Sequence, residues 1–113
     1  MKIERREKNA MEKKAPVIYL KPTNAKGRTY VYVVSKSKTK VVYLKALGHF
    51  DKAYKLLCKW QDEDSFPEEL LNNGLTYDDL ANWIYLLEIG LTEEGQPVQW
   101  VLNHLREKNT PVN

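Results

Sequence analysis

Hydrophobic and polar positions alternate along the first part of the chain and recur at helical spacing along the second. β-Branched and aromatic residues dominate three short runs, which predict strands at residues 17–21, 28–35 and 39–46. Pro22–Gly27 carries turn chemistry between the first two strands. After Phe50, apolar residues follow the period of amphipathic helices. The pattern predicts an α+β fold: an N-terminal three-stranded antiparallel sheet with a helix on one face, followed by three further helices.

Local start and stop signals divide the helical part into four helices. Asp51 is predicted to N-cap a helix that runs to about Trp60. Thr76 and Asp79 have the spacing of a capping box for the third helix, and Gly90 is its natural end. The other boundary residues are Pro67 and Gly74 for the second helix and Pro97 for the start of the last.

The chain length of 113 residues suits one domain with a buried core. Residues 1–15 have no steady apolar period, and we expect them to form a mobile charged arm. Residues 16–113 are predicted to form a single α+β domain. In it, a basic sheet–helix unit (residues 16–60) precedes an acidic helical part (residues 61–108).

Charge is divided sharply between the two halves of the chain. Residues 1–60 hold sixteen Lys or Arg and four Asp or Glu, a balance of +12. Residues 61–113 hold two and eleven, a balance of −9. A strongly basic half indicates a polyanionic partner, of which nucleic acid is the commonest. The alternative is a dipolar protein whose halves face one another, and opposite charges also permit a homodimer.

Strand alternation sorts the predicted sheet into two chemically different faces. The aliphatic face collects Ile18, Leu20, Thr29, Val31, Val33, Val42, Leu44 and Ala46. The other face collects Tyr19, Tyr30, Tyr32 and Tyr43 with Lys21, Arg28 and Lys45. Aromatic rings stack on bases and cations neutralise phosphates, so this face is a candidate nucleic-acid surface. The alternative is that the later helices cover the tyrosines and make them core.

The loop Lys36-Ser37-Lys38-Thr39-Lys40 has three lysines and two hydroxyls at a hairpin tip. These groups suit contact with phosphates, although a loop of this kind can also serve only solubility. The predicted nucleic-acid-binding residues are Lys21, Lys26, Arg28, Tyr30, Tyr32, Lys36, Lys38, Lys40, Tyr43 and Lys45.

The runs GRTYVYVV (Gly27–Val34) and LKALGHFD (Leu44–Asp51) carry a family resemblance. Residues 17–60 resemble the N-terminal DNA-binding segments of insertion-sequence transposases. The order of three strands, basic hairpin and helix is similar to the AP2-like arm-binding domain of phage integrases. The resemblance implies a sheet that enters the DNA major groove and a phage or mobile-element origin, hence a viral protein. The residues that it implies at the DNA are Arg28, Tyr30, Tyr32, Lys36, Lys38, Lys40 and Lys45.

Catalytic and metal-binding patterns are missing from the sequence. His49 and His104 are the only histidines and Cys58 is the only cysteine, so no zinc-ligand spacing exists. We expect His49 in the strand-to-helix turn, His104 on the exposed side of the last helix, and Cys58 as a buried inert thiol. The acidic clusters suit helix starts and solvated turns. The prediction is a protein without enzyme activity, catalytic residues, metal or cofactor.

The cysteine count and the length of the apolar runs indicate the compartment and exclude one class of partner. A single cysteine allows no intrachain disulfide, which favours a cytoplasmic location. No apolar run approaches the ~20 residues of a membrane span, so no membrane partner is expected.

The three tryptophans fall in predicted helices. Trp60 and Trp83 lie on apolar stripes and are predicted core residues. Trp100 lies off its stripe, beside His104, and these two residues are the predicted protein-binding site; the alternative is that Trp100 covers the core edge.

The resulting prediction is a small nucleic-acid-binding protein, with duplex DNA favoured. Its basic sheet would face DNA and its acidic helical part would dock a protein partner. The alternative is a protein-interaction module, such as a phage-encoded inhibitor or adaptor of a host enzyme.

Overall fold

A computed structural model describes residues 17–109, with side-chain surroundings through residue 107. The predicted arm at residues 1–15 lies outside the described residues. The strands are β1 (Val17–Ala25), β2 (Arg28–Lys36) and β3 (Val41–His49). The helices are α1 (Phe50–Asp62), α2 (Glu68–Leu71), α3 (Tyr77–Ile89) and α4 (Gln99–Asn109). The predicted α+β fold, with an antiparallel sheet preceding the helices, is confirmed.

The strands pair in the order β1-β2-β3 as two antiparallel hairpins. β1 continues through Pro22, which the sequence assigned to a turn. An edge strand tolerates proline because an outward-facing backbone nitrogen needs no ladder hydrogen bond. The turn is the pair Lys26-Gly27, with φ values of 52° and 77°. Positive φ at both positions matches the twist of a two-residue hairpin, so β1 extends to Ala25, beyond its predicted end at residue 21.

One core cluster joins the sheet to all four helices. The sheet contributes four buried residues to this cluster: Leu20, Val31, Val33 and Leu47. Trp60 and Trp83 lie in the same cluster, as predicted. The helices therefore pack on a single face of the sheet. Among residues 17–109, no helix combines the length and apolar character needed to cross a bilayer.

The helix boundaries confirm one capping prediction and correct another. The Asp79 amide donates to Thr76 Oγ1 (3.2 Å), and the Thr76 amide donates to Asp79 Oδ2 (2.8 Å), so the capping box is present. Gly90 ends α3 at φ 78°, as expected. The predicted N-cap of α1 was wrong. His49 holds that position and its Nδ1 accepts from the Lys52 amide at 3.4 Å, while Asp51 lies in the first turn.

Candidate nucleic-acid interface

Two irregularities in β3 decide which side chains share a face of the sheet. Val31 lies opposite Gly48 and Tyr32 opposite Ala46, so Leu47 is an extra residue on β3. A second skip, between the partners of Val33 and Val34, leaves Leu44 as another extra residue. Each extra residue is a β-bulge, which breaks strict alternation and re-aims the side chains after it.

The bulge at Leu44 moves Lys45 to the helix side. Lys45 lies in register with Val33, and its Nζ is 3.2 Å from Glu69 Oε2 on α2. Its predicted place on the tyrosine side was therefore wrong. Ala46 moves the other way: it pairs with Tyr32 and is exposed, although alternation assigned it to the aliphatic face.

The four tyrosines predicted for one face do share one surface; they are Tyr19, Tyr30, Tyr32 and Tyr43. We call it the tyrosine face and define it, from the pairing register, as the sheet side opposite the helices. Its members are Val17, Tyr19, Lys21, Thr23, Ala25, Arg28, Tyr30, Tyr32, Val34, Lys36, Val41, Tyr43, Ala46 and His49. Across the strands, Tyr19, Val34 and Tyr43 form one row, and Lys21, Tyr32 and Ala46 form the next. Of the seven tyrosines and cations predicted for this face, all except Lys45 therefore lie on it.

The rings form a thin aromatic layer on this face. Tyr32 and Tyr43 meet edge to face, with ring centroids 5.2 Å apart. Val34 is fully buried although it lies outside the core cluster, and its cross-strand partners are Tyr19 and Tyr43. The layer therefore covers Val34 while leaving Tyr43 50% exposed. In the described part of the chain, no tyrosine-face residue belongs to the core that the helices form, so the helices do not cover the tyrosines.

The basic loop lies at one end of the tyrosine face. The Ser37 amide donates to the Lys40 carbonyl at 2.9 Å, which closes the loop, and residues 36–40 are all exposed. Exposed Val17, Val41 and Tyr43 lie beside it. This end combines exposed cations with apolar and aromatic surface.

The opposite end of the face is electrically mixed. Lys26 and Arg28 lie at the β1–β2 turn, about 26 Å from Lys36 at ~3.3 Å per residue. Arg28 borders a pocket of about 370 Å³ that carboxylates of Asp51 and Glu107 also line. Anion binding is therefore favoured at the loop end.

Trp100 and His104 lie apart from the tyrosine face, and both contact the ring of Phe50. Trp100 is half-buried and meets the Phe50 ring edge to face at 6.1 Å. His104 stacks on the same ring at 3.8 Å, and its buried Nε2 is 3.8 Å from Asp51 Oδ1. The expected exposed position of His104 was wrong, because the stack on Phe50 draws it into the helix junction. Protein binding by this pair stays a prediction.

A contact between α1 and α3 had no signal in the sequence. The Tyr54 hydroxyl donates to Glu88 Oε2 at 2.5 Å. This hydrogen bond, helped by Cys58 and partial burial, raises the pKa of Tyr54 well above its usual range. Cys58 is half-buried rather than buried. Within residues 17–109, no cluster of three His, Cys, Asp or Glu side chains is arranged to hold a metal ion.

No protein-family model matches the chain, and no match is found among curated proteins or solved structures.

Proposed function

We propose that this protein binds nucleic acid through the tyrosine face and the loop at residues 36–40. The supporting observation is that residues 17–49, which form the whole sheet, contain six Lys and one Arg but no Asp or Glu. A polyanion can therefore approach this side without meeting a sheet carboxylate. The helices occupy the other side and carry most of the acidic residues.

Each group has a role that its position supports. Lys36, Lys38 and Lys40 contact phosphates, because exposed lysines on a loop act as adaptable point charges. Tyr30, Tyr32 and Tyr43 pack against bases or sugars. Lys21 lies beside Tyr32 in the same cross-strand row, while Lys26 and Arg28 lie at the far end of the face.

Duplex DNA is the proposed ligand. Three strands spaced about 4.8 Å apart span roughly 10 Å, which fits a major groove about 12 Å wide. A phage or mobile-element origin and a cytoplasmic location belong to the same proposal. The alternative is a protein-interaction module, which a tyrosine face covered by the helices would favour. Within the described residues, no tyrosine of that face belongs to the core that the helices form, and this supports the nucleic-acid proposal.

Salt dependence tests this proposal. Binding of a labelled 20-base-pair duplex is measured by fluorescence anisotropy from 50 to 200 mM NaCl, beside a single strand and a duplex RNA. Six sheet cations remain when Lys45 is set aside, and at ~0.9 per phosphate contact they predict a log–log slope of about −5. Absence of binding to all three ligands at 50 mM NaCl overturns the proposal. Stronger binding to the single strand overturns the assignment to duplex DNA.

A charge-matched pair of variants locates the interface. The chain offers a second set of three exposed lysines, Lys52, Lys55 and Lys59, on the outer side of α1. Replacing Lys36, Lys38 and Lys40 with Ala should reduce the slope by about three, whereas the same change on α1 should leave it nearly unchanged. Equal effects would mean that net charge alone drives binding and that the loop is not an interface.

A further inference from the structure

A groove of about 780 Å³ runs along the outer edge of β1, on the side where the acidic helical part packs. All six residues of Val17–Pro22 line it, although neighbouring side chains on a strand point to opposite faces. The groove must therefore reach the backbone at the strand edge. Within the described residues β1 pairs only with β2, so its outer edge presents unpaired backbone donors and acceptors.

The floor of the groove is apolar. Trp83 and Leu86 come from α3. Trp100 comes from the first turn of α4, and Val98 is the residue before that helix. Trp100 is half-buried, so one side of its ring remains accessible. A strand laid beside β1 would point every second side chain toward this floor.

The wall opposite β1 is acidic. Glu93 and Glu94 line the groove and are exposed, and Glu93 Oε1 accepts a hydrogen bond from Asn82 Nδ2 at 2.8 Å. The surrounding half of the chain, residues 61–113, holds eleven acidic and two basic residues. This field attracts a cationic ligand and repels a phosphate backbone.

We propose that the groove binds an extended, basic segment of another protein, which adds as a fourth strand beside β1. Its alternate apolar side chains enter the groove over Trp83 and Trp100, and its Lys or Arg side chains meet Glu93 and Glu94. Main-chain hydrogen bonds at an open edge supply affinity, and the alternating pockets and charges supply specificity. The groove shares Val17, Tyr19 and Lys21 with the β1 edge of the tyrosine face, but its floor and acidic wall come from the helical part, and the proposal does not depend on nucleic-acid binding.

The test uses the full chain and a labelled nine-residue peptide of alternating Val and Lys, acetylated and amidated at its ends. Saturable binding is expected by fluorescence anisotropy, with slowed amide hydrogen exchange within residues 18–21. A matched peptide with N-methyl groups on alternate amides should bind at least tenfold more weakly, because it cannot complete the strand ladder. A peptide of alternating Val and Glu should also bind at least tenfold more weakly.

Two charge-reversed variants complete the test. Glu93→Lys with Glu94→Lys should weaken binding of the Val–Lys peptide about three- to tenfold, since exposed ion pairs are individually modest. Asp62→Lys with Glu63→Lys makes the same change in net charge at the end of α1, away from the groove, and should have less than a twofold effect. Equal losses from the two variants, or equal binding of the N-methylated peptide, overturn the proposal. So does a dimer in sedimentation that the peptide dissociates, because the groove would then belong to a second copy.

Discussion

The Lys45 ammonium lies 3.2 Å from the Glu69 carboxylate and joins the bulged edge strand β3 to α2. Both side chains are partly exposed, so the pair is a modest link. Its larger consequence is that it removes one cation from the surface proposed for nucleic acid.

Lys45→Ala should therefore leave nucleic-acid affinity within about twofold and the salt slope unchanged. The unfolding free energy should fall by no more than about 1 kcal/mol, measured by urea denaturation. Lys40→Ala is the comparison, because it removes the same charge from the exposed loop and should weaken binding. A shallower dependence of log affinity on log salt concentration in Lys45→Ala would mean that Lys45 contacts the nucleic acid after all.

Tyr43→Ala should weaken nucleic-acid binding by about 1–3 kcal/mol if its exposed ring stacks on a base. Tyr85 on α3 offers a matched control, since it is also a largely exposed tyrosine, at 45% against 50% for Tyr43. Tyr85→Ala should leave affinity unchanged. Anisotropy titrations of both variants, with circular dichroism to confirm folding, decide between stacking and a purely structural ring. If Tyr43→Ala binds as tightly as Tyr85→Ala and the unmodified protein, Tyr43 has no role in binding.

Thr76→Ala should lower the unfolding free energy by about 1 kcal/mol, because the first turn of α3 loses its capping hydroxyl. Asp78→Ala, in the same turn but outside the capping box, should cost less. Chemical denaturation measures both changes. Nucleic-acid affinity should be unchanged in each variant, since α3 lies on the side of the sheet away from the tyrosine face. A larger loss in Asp78→Ala would show that charge near the helix start outweighs the cap.

Tyr54→Phe should lower stability at neutral pH by about 1 kcal/mol through loss of the hydrogen bond to Glu88. The folded-state pKa of Tyr54 is raised above its unfolded value of 10.0, so this contribution is fully present below pH 10. It declines as pH rises further, because the unfolded chain then releases the phenolic proton first. Denaturation of both proteins from pH 7 to 11 should show their stability difference shrinking above pH 10. A constant difference would mean that the hydroxyl acts only through packing.

Local chemistry predicted much of the fold. Thr76 and Asp79 satisfy one another within a single turn, so their spacing is enough to locate a helix start. The start of α1 was less predictable, because His49, which is not among the usual N-cap residues, takes the capping position instead of Asp51. The backbone of His49 is extended, and its ring nitrogen accepts from the Lys52 amide.

The sequence predicted which tyrosines share the candidate surface, but it did not predict correctly which lysines lie at its edge. Tyr30, Tyr32 and Tyr43 were expected on one face and lie there. Lys45 was expected with them and does not, since alternation assumes an unbroken strand. The groove beside β1 had no sequence signal, because its walls come from segments about 60 residues or more apart in the chain.

The amino-acid sequence by itself determined the strand and helix types, the charge division and the clustering of tyrosines, because each depends on neighbours within a few positions. Only the tertiary structure decided which sheet face the helices cover and where β3 bulges. Leu47 is buried in the core and Leu44 is half-buried against it, each as an extra residue on β3, and the resulting register sends Lys45 to Glu69 and Ala46 to the tyrosine face. Those choices depend on packing between distant segments, which no local pattern records.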